Sequence, residues 1–378
     1  MKTPENEFQA LMALSLNVHF GALDKRKLLD AAGDALVLYK DPDVLHDCFP
    51  GRPIDQLRSS LYADDVADKV VQTLRFLDKN PQIRVLTLND EDYPQLLSEC
   101  ADAPILLFYI GNANLNSVHM VSMVGTRKCT QYGADICEKF TREISHLVPD
   151  TVVVSGLAYG IDGHSHRGAL KNNLKTIGVL AHGLDNIYPT EHRNLAKEMI
   201  EQGGGLLTEY GPDTTPWQGN FIARNRIIAG LSYATVVVES GIKGGSLITA
   251  ELCSDYGREC FAFPQNIFCV ESAGCNSLIS RQMAHLITSG RDFSDIMGWG
   301  VPKQMDLFAQ QTEDNVSKLD KSQRLVYDII CKSTNGISIE EVAMQCNLPM
   351  ENLSLKMLEL EMQNLIKIGN GARYFSQH

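Results

Sequence analysis

The sequence predicts an α/β protein with a parallel sheet covered on both faces. A small helical module precedes the sheet, and a helical segment ending in a hairpin follows it. Three observations carry this. From His119 onward, short runs rich in β-branched residues alternate with longer helical patterns, the mark of a parallel sheet with right-handed crossovers. Glycine-rich turns follow several of these runs, where an open sheet binds its ligands. Near Phe8 to Tyr39, Leu11, Leu14, Leu16, Leu28, Leu29 and Leu36 fall at helical spacing, interrupted around Gly21.

Taken in order, the first module reads as helices, with another over Ala63 to Leu77. Packing or partner contact explains it better than DNA-backbone binding, since Gly21 is its one turn glycine. Ile83 to Leu88 and Ile105 to Ile110 read as strands. The βα region then offers strands at Met120 to Val124, Thr151 to Ser155, Thr176 to Leu180, Leu206 to Glu209, Thr235 to Glu239, Glu259 to Phe263 and His285 to Thr288. Residues 300–315 are polar and read as a linker. The remainder has two or three helical patterns and a strand, Asn-Gly turn, strand ending, which reads as a hairpin wing. The expected division is 1–80, 81–299, 300–315 and 316–378.

With 378 residues at 44% hydrophobic, the chain is an ordinary soluble composition too long for one typical core. No apolar run is long enough for a bilayer span, and the N-terminus lacks the pattern of a secretory signal. Ten cysteines contain no C-x-x-C pair, so most read as small buried hydrophobes in a reducing cytoplasm. His164 and His166 alternate, but no matching ligand pattern follows, and neither a metal nor a cofactor is expected. The net charge of −12 argues against broad electrostatic binding of nucleic acid. Residues 1–119 carry 11 basic and 18 acidic groups, residues 120–298 carry 15 and 18, and the tail from Asn315 carries 7 of each. A polyanion must therefore meet a local basic pocket.

The loops after the strands supply one. Gly125 lets backbone approach a ligand, Arg127 offers a fork of donors, and Thr130 can cap the next helix. Ser155, Gly156, Gly160 and Asp162 follow the second βα strand. Phe221, Arg224, Asn225 and Arg226 precede the strand at Thr235, and Lys243, Gly244, Gly245 and Ser246 follow it. Cations and backbone donors thus gather where loops meet helices, a place suited to phosphate. Asp162, Asp185, Glu209, Glu239 and Glu251 offer either an acid–base pair or caps and loop braces. No Ser–His–Asp pattern and no Walker A sequence is present.

V-G-T-R, S-G-L-A-Y-G-I-D, G-L-D-N-I-Y-P, F-I-A-R-N-R-I-I-A-G-L-S, V-V-V-E-S-G-I-K-G-G-S-L-I-T-A and G-C-N-S-L-I, in this order, closely resemble the DNA-processing protein A family, also called Smf. The resemblance runs through roughly Leu86 to Ile287. It implies an extended Rossmann-like core with an N-terminal sterile-alpha-motif-like (SAM-like) domain and a C-terminal winged helix. It also implies a cytoplasmic, homodimeric, non-enzymatic protein that binds single-stranded DNA and loads the RecA recombinase during natural transformation. Carried over by position, the family's single-strand pocket implies Arg127, Phe221, Arg224, Asn225, Arg226 and Lys243. The chain departs from the family's usual pattern at Gln265, at Ala181-His182 and at Gly244. The rival class is a lysine-decarboxylase-like phosphoribohydrolase, whose P-G-G-x-G-T-x-x-E is echoed in part by Gly244, Gly245 and Glu251.

Overall fold

The computed structural model describes residues 4–41, 43–300, 319–331, 333, 336–346, 349–363, 365–369 and 373–376. Contacts divide the chain into two compact units, residues 1–300 and 301–378. The expected linker, apart from Gly300, and the Asn370-Gly371 turn lie outside the described residues.

In the first unit, six helices come first: α1 (Glu7–Leu16), α2 (Ala22–Ala32), α3 (Ala35–Lys40), α4 (Val44–Cys48), α5 (Ile54–Leu61) and α6 (Asp64–Lys79). Next come β1 (Arg84–Thr87), α7 (Gln95–Ser98) and β2 (Leu106–Gly111). The alternating region follows as β3 (Met120–Gly125), α8 (Gln131–Leu147), β4 (Val152–Ser155), α9 (Ile161–Lys171), β5 (Lys175–Val179), α10 (Arg193–Glu201) and β6 (Gly205–Thr208). It continues through α11 (Gln218–Leu231), β7 (Ala234–Glu239), α12 (Gly245–Asp255), β8 (Glu259–Ala262), α13 (Ala273–Ser280), β9 (His285–Leu286) and α14 (Gly290–Met297). The expected strands of this region are all present, with ends shifted by one or two residues.

The nine strands form one sheet in the order β1-β2-β6-β5-β4-β3-β7-β8-β9. From β6 to β9 every neighbouring pair is parallel. The strands at Arg84 and Leu106 extend this same sheet as an antiparallel edge, β1 on β2 and β2 on β6. Side chains alternate between two cores, as period-two strand geometry requires. Val152 and Val154 pack in one core with Ile227 and Ile228 of α11 and Ala250 of α12. Val153 and Val236 pack in the other with Phe140 of α8, Ile161 of α9 and Phe293 of α14. A third core joins the N-terminal helices to the sheet: Leu14, Leu28, Leu38 and Leu61 share it with Ile105, Leu106 and Phe108.

In the second unit, α15 (Lys321–Cys331), α16 (Ile339–Cys346) and α17 (Met350–Met362) precede the antiparallel strands β10 (Ile366–Gly369) and β11 (Arg373–Ser376). Val326, Ile330, Val342, Leu353, Leu360 and Ile366 form its core. Among the described residues, no helix is long and apolar enough to cross a membrane.

Candidate functional site

The sheet order sets β5, β4, β3, β7 and β8 side by side, so the loops after these strands form a row at one carboxyl edge. Helix α11 delivers Phe221 and Arg224 to it. Arg224 donates from Nη1 to the Gly156 carbonyl at 2.6 Å and to the Val179 carbonyl, joining α11 to the ends of β4 and β5. Position 156 has to be glycine for this. A Cβ there would lie 2.4 Å from the Arg224 guanidinium and 2.5 Å from the Asp162 carboxylate.

Arg224 is 3% exposed. Burial pushes its pKa down to about 10, against the pull of Asp162, which leaves it charged at neutral pH. Burial likewise raises the Asp162 carboxyl above the usual range, and Arg224 holds it back. The backbone N–H of Ala158 also donates to Asp162 at 3.3 Å. Ser155 donates to the Met123 carbonyl at 2.6 Å, one strand away.

Arg127 is exposed on the loop after β3. Its guanidinium carbon sits 4.5 Å from the Phe221 ring centroid, and that of Arg224 sits at 6.0 Å. Tyr188 approaches the same ring with centroids 5.9 Å apart. Phe221 is half-buried and Tyr188 is exposed. Phe221 is thus a partly open ring with a cation over it. Beneath Arg127, Gly160 has φ of +72°, and a Cβ there would fall 2.2 Å from the Thr126 carbonyl oxygen. Glycine alone meets both conditions, so the loops after β3 and β4 are locked together. Gly125 lies at the same junction, against Ile161 and the Glu239 carbonyl.

Lys243 is exposed on the turn between β7 and α12. Asn225 reaches that turn, donating to the Gly245 carbonyl at 3.4 Å. Ser246 donates to Ser240 at 2.7 Å, with Gly244 packed over the Ser240 hydroxyl. Neither Arg127 nor Lys243 has an ion pair among the described residues.

Arg226 is not brought to this edge. Residues two apart on a helix point about 200° apart, so it leaves α11 on another side from Arg224. It is 7% exposed and donates to both Glu209 oxygens, at 2.8 and 2.6 Å, with Asp102 at 3.9 Å. Burial lowers its pKa, but Glu209 and Asp102 more than offset that, and the net shift is upward. Arg226 is a brace in this structure.

The carboxylates have separate partners. Glu239 is fully buried and accepts from the backbone N–H and hydroxyl of Thr130, both at 2.8 Å, at the start of α8. Asp185 accepts from Asp213 N–H at 3.1 Å. Glu251 is exposed on α12. Of the alternatives left open, the geometry shows loop braces and caps for Asp162, Asp185, Glu209 and Glu239. Gln265 keeps a negative φ, so its turn does not require glycine. His182 is buried, with its Nδ1 2.9 Å from the Gly183 carbonyl. Sequence reasoning missed Tyr188, whose signal was its place beside proline in the G-L-D-N-I-Y-P loop.

Fold and site together define an open-sheet α/β protein with a ligand edge of exposed cations and aromatics over internally satisfied carboxylates. The family model described as DNA recombination-mediator protein A matches residues 84–298, and the chain belongs to that family. It is similar to "DNA processing protein DprA" of Streptococcus pneumoniae, 44% identical over 214 residues that cover 57% of this chain and 73% of that protein. "Protein Smf" of Synechocystis is 38% identical over 253 residues, 63% of this chain and 62% of that protein. Among solved structures, DNA processing protein A from Streptococcus pneumoniae superposes with a TM-score of 0.63 at 33% identity, covering 77% of this chain and 96% of that one. DNA processing protein A from Helicobacter pylori, described for its unique single-stranded DNA binding mode, gives 0.51 at 31%, covering 57% and 95%.

Proposed function

We propose that this chain is a DNA processing protein that binds single-stranded DNA at the carboxyl edge of its sheet. The observation that carries the reading is Arg127 stacked on Phe221, with Lys243 on the neighbouring loop, both cations exposed and without ion pairs among the described residues, in a chain of net charge −12. Phosphates would meet the cations, and a base would meet the rings of Phe221 and Tyr188. Two relatives with solved structures are DNA processing proteins, and one is described by its single-strand binding, which supports the same reading. We extend it to protection of incoming DNA and loading of RecA during natural transformation, by a cytoplasmic homodimer with no catalytic role. Residues 1–80 would act as a SAM-like domain, 81–299 as the Rossmann-like DNA-binding domain, and 316–378 as a winged helix.

The test is titration of the full chain with oligo-dT at several salt concentrations, with duplex DNA as competitor. Oligo-dT binds better than duplex. Arg127→Ala and Lys243→Ala each weaken binding and flatten the salt slope by about 0.7, the single-strand value per phosphate contact. Equal affinity for duplex, or unchanged slopes in both variants, would falsify the reading.

A further inference from the structure

The loop between β8 and α13 exposes apolar side chains to an extent that folding does not explain. Ile267 is 82% exposed, Phe268 87% and Val270 73%, and Ile242 on the adjoining turn is 59% exposed. The loop is braced from within and from below. Asn266 Oδ1 accepts from Phe268 N–H at 3.0 Å, and its carbonyl accepts from Cys269 N–H at 2.9 Å. Asn276 of α13 accepts from Gln265 N–H at 3.2 Å and donates to its carbonyl at 2.9 Å. Tyr132 of α8 donates to the Pro264 carbonyl at 2.9 Å. A braced loop that holds an aromatic in water has already met the ordering cost of a contact it has yet to make.

Its position says what that contact is. The loop adjoins the Lys243 turn, since Gly274 N–H donates to the Ser240 carbonyl at 2.8 Å and the Val270 carbonyl lies 3.6 Å from where a Gly241 Cβ would be. Along the edge the loops therefore run Tyr188 after β5, Arg127 with Phe221 at β3, Lys243 after β7, and Phe268 after β8. Neighbouring strands are about 4.8 Å apart. Aromatic, cation, cation, aromatic in a line is the layout that tracks a single strand, with phosphates on the charges and bases on the rings.

We infer that Phe268, supported by Ile267, is a second base-stacking platform, so that one DNA strand crosses the edge from Tyr188 and Phe221, past Arg127 and Lys243, to Phe268. This rests on the single-strand reading above. The full-length chain, its Phe268→Ala and Phe268→Tyr variants, and Arg127→Ala are titrated with oligo-dT and with oligo-dT carrying one abasic site walked along its length. Phe268→Ala weakens oligo-dT binding roughly 5- to 100-fold. Its salt slope stays parental, because a ring neutralises no phosphate. Phe268→Tyr restores affinity. The parent loses affinity at one abasic position where Phe268→Ala loses nothing further. If Arg127→Ala weakens binding while Phe268→Ala binds like the parent, the second platform is wrong and the single-strand reading stands. If the parent fails to bind oligo-dT, both fail. If Phe268→Ala changes the sedimentation of the protein and leaves DNA affinity alone, the loop joins copies of the chain and the inference is overturned.

Discussion

Replacing Arg224 with alanine lowers folding stability by about 3–5 kcal/mol at neutral pH, the scale for removing one partner from buried charges. The guanidinium bridges the Gly156 and Val179 carbonyls and is the main cation near buried Asp162. Its loss takes a donor from two carbonyls and the main counter-charge from one buried carboxylate. The pH dependence identifies the second part. Burial already raises the Asp162 carboxyl, and Arg224 opposes that rise, so the variant's folded-state pKa is higher still. A carboxyl with a raised folded pKa favours the folded state fully below its unfolded pKa and loses that contribution as pH rises through the folded one. The penalty is therefore largest at neutral pH and shrinks as Asp162 protonates in acid. Urea unfolding at pH 7 and pH 5 measures it, and Asp162→Asn added to Arg224→Ala recovers part of the loss at pH 7. A penalty independent of pH would remove Asp162 from the account.

Arg226→Ala has a comparable effect for a different reason. It strips Glu209 of both donors, and the two side chains are 8% and 16% exposed. The expected loss is about 3–5 kcal/mol. Arg226→Lys recovers only part, because an ammonium cannot make the two-point contact. With Glu209→Gln in a double-mutant cycle, the pair shows a coupling of roughly 0.5–3 kcal/mol. Any folded Arg226 variant keeps the parental salt slope for oligo-dT. A flattened slope in a folded Arg226→Ala variant would return this arginine to the DNA contact set.

The sequence shows the parallel part of the sheet because strands buried on both faces must be continuous apolar runs. Val152 to Val154 and Thr235 to Val238 are such runs, and they are fully buried. It does not show that β2 joins β6, since that pairing is set by which backbones approach in three dimensions. The R-N-R block looked like one cationic cluster, yet helical rotation separates its two arginines into two braces on different sides. Arg127 was legible as a cation after a strand, but its seat on Phe221 depends on α11 crossing the edge. Phe268 carried no signal, because solvent exposure has no pattern in a single chain.

The sheet order also governs how this protein comes off the ribosome. The inner strand β3 pairs with β4 early, but its other neighbour, β7, begins at Ala234, after three strands and four α-helices have followed β3. Until then one edge of β3 stays open, as does the edge of β2 that waits for β6. Pairings this distant in sequence close slowly, and open apolar edges invite aggregation in the interval. The N-terminal helices are complete before any strand appears, and Leu14, Leu28 and Leu38 are ready to cover Leu106 and Phe108 as soon as β2 emerges. During synthesis the helical module thus covers one apolar face of β2 while that strand still waits for β6.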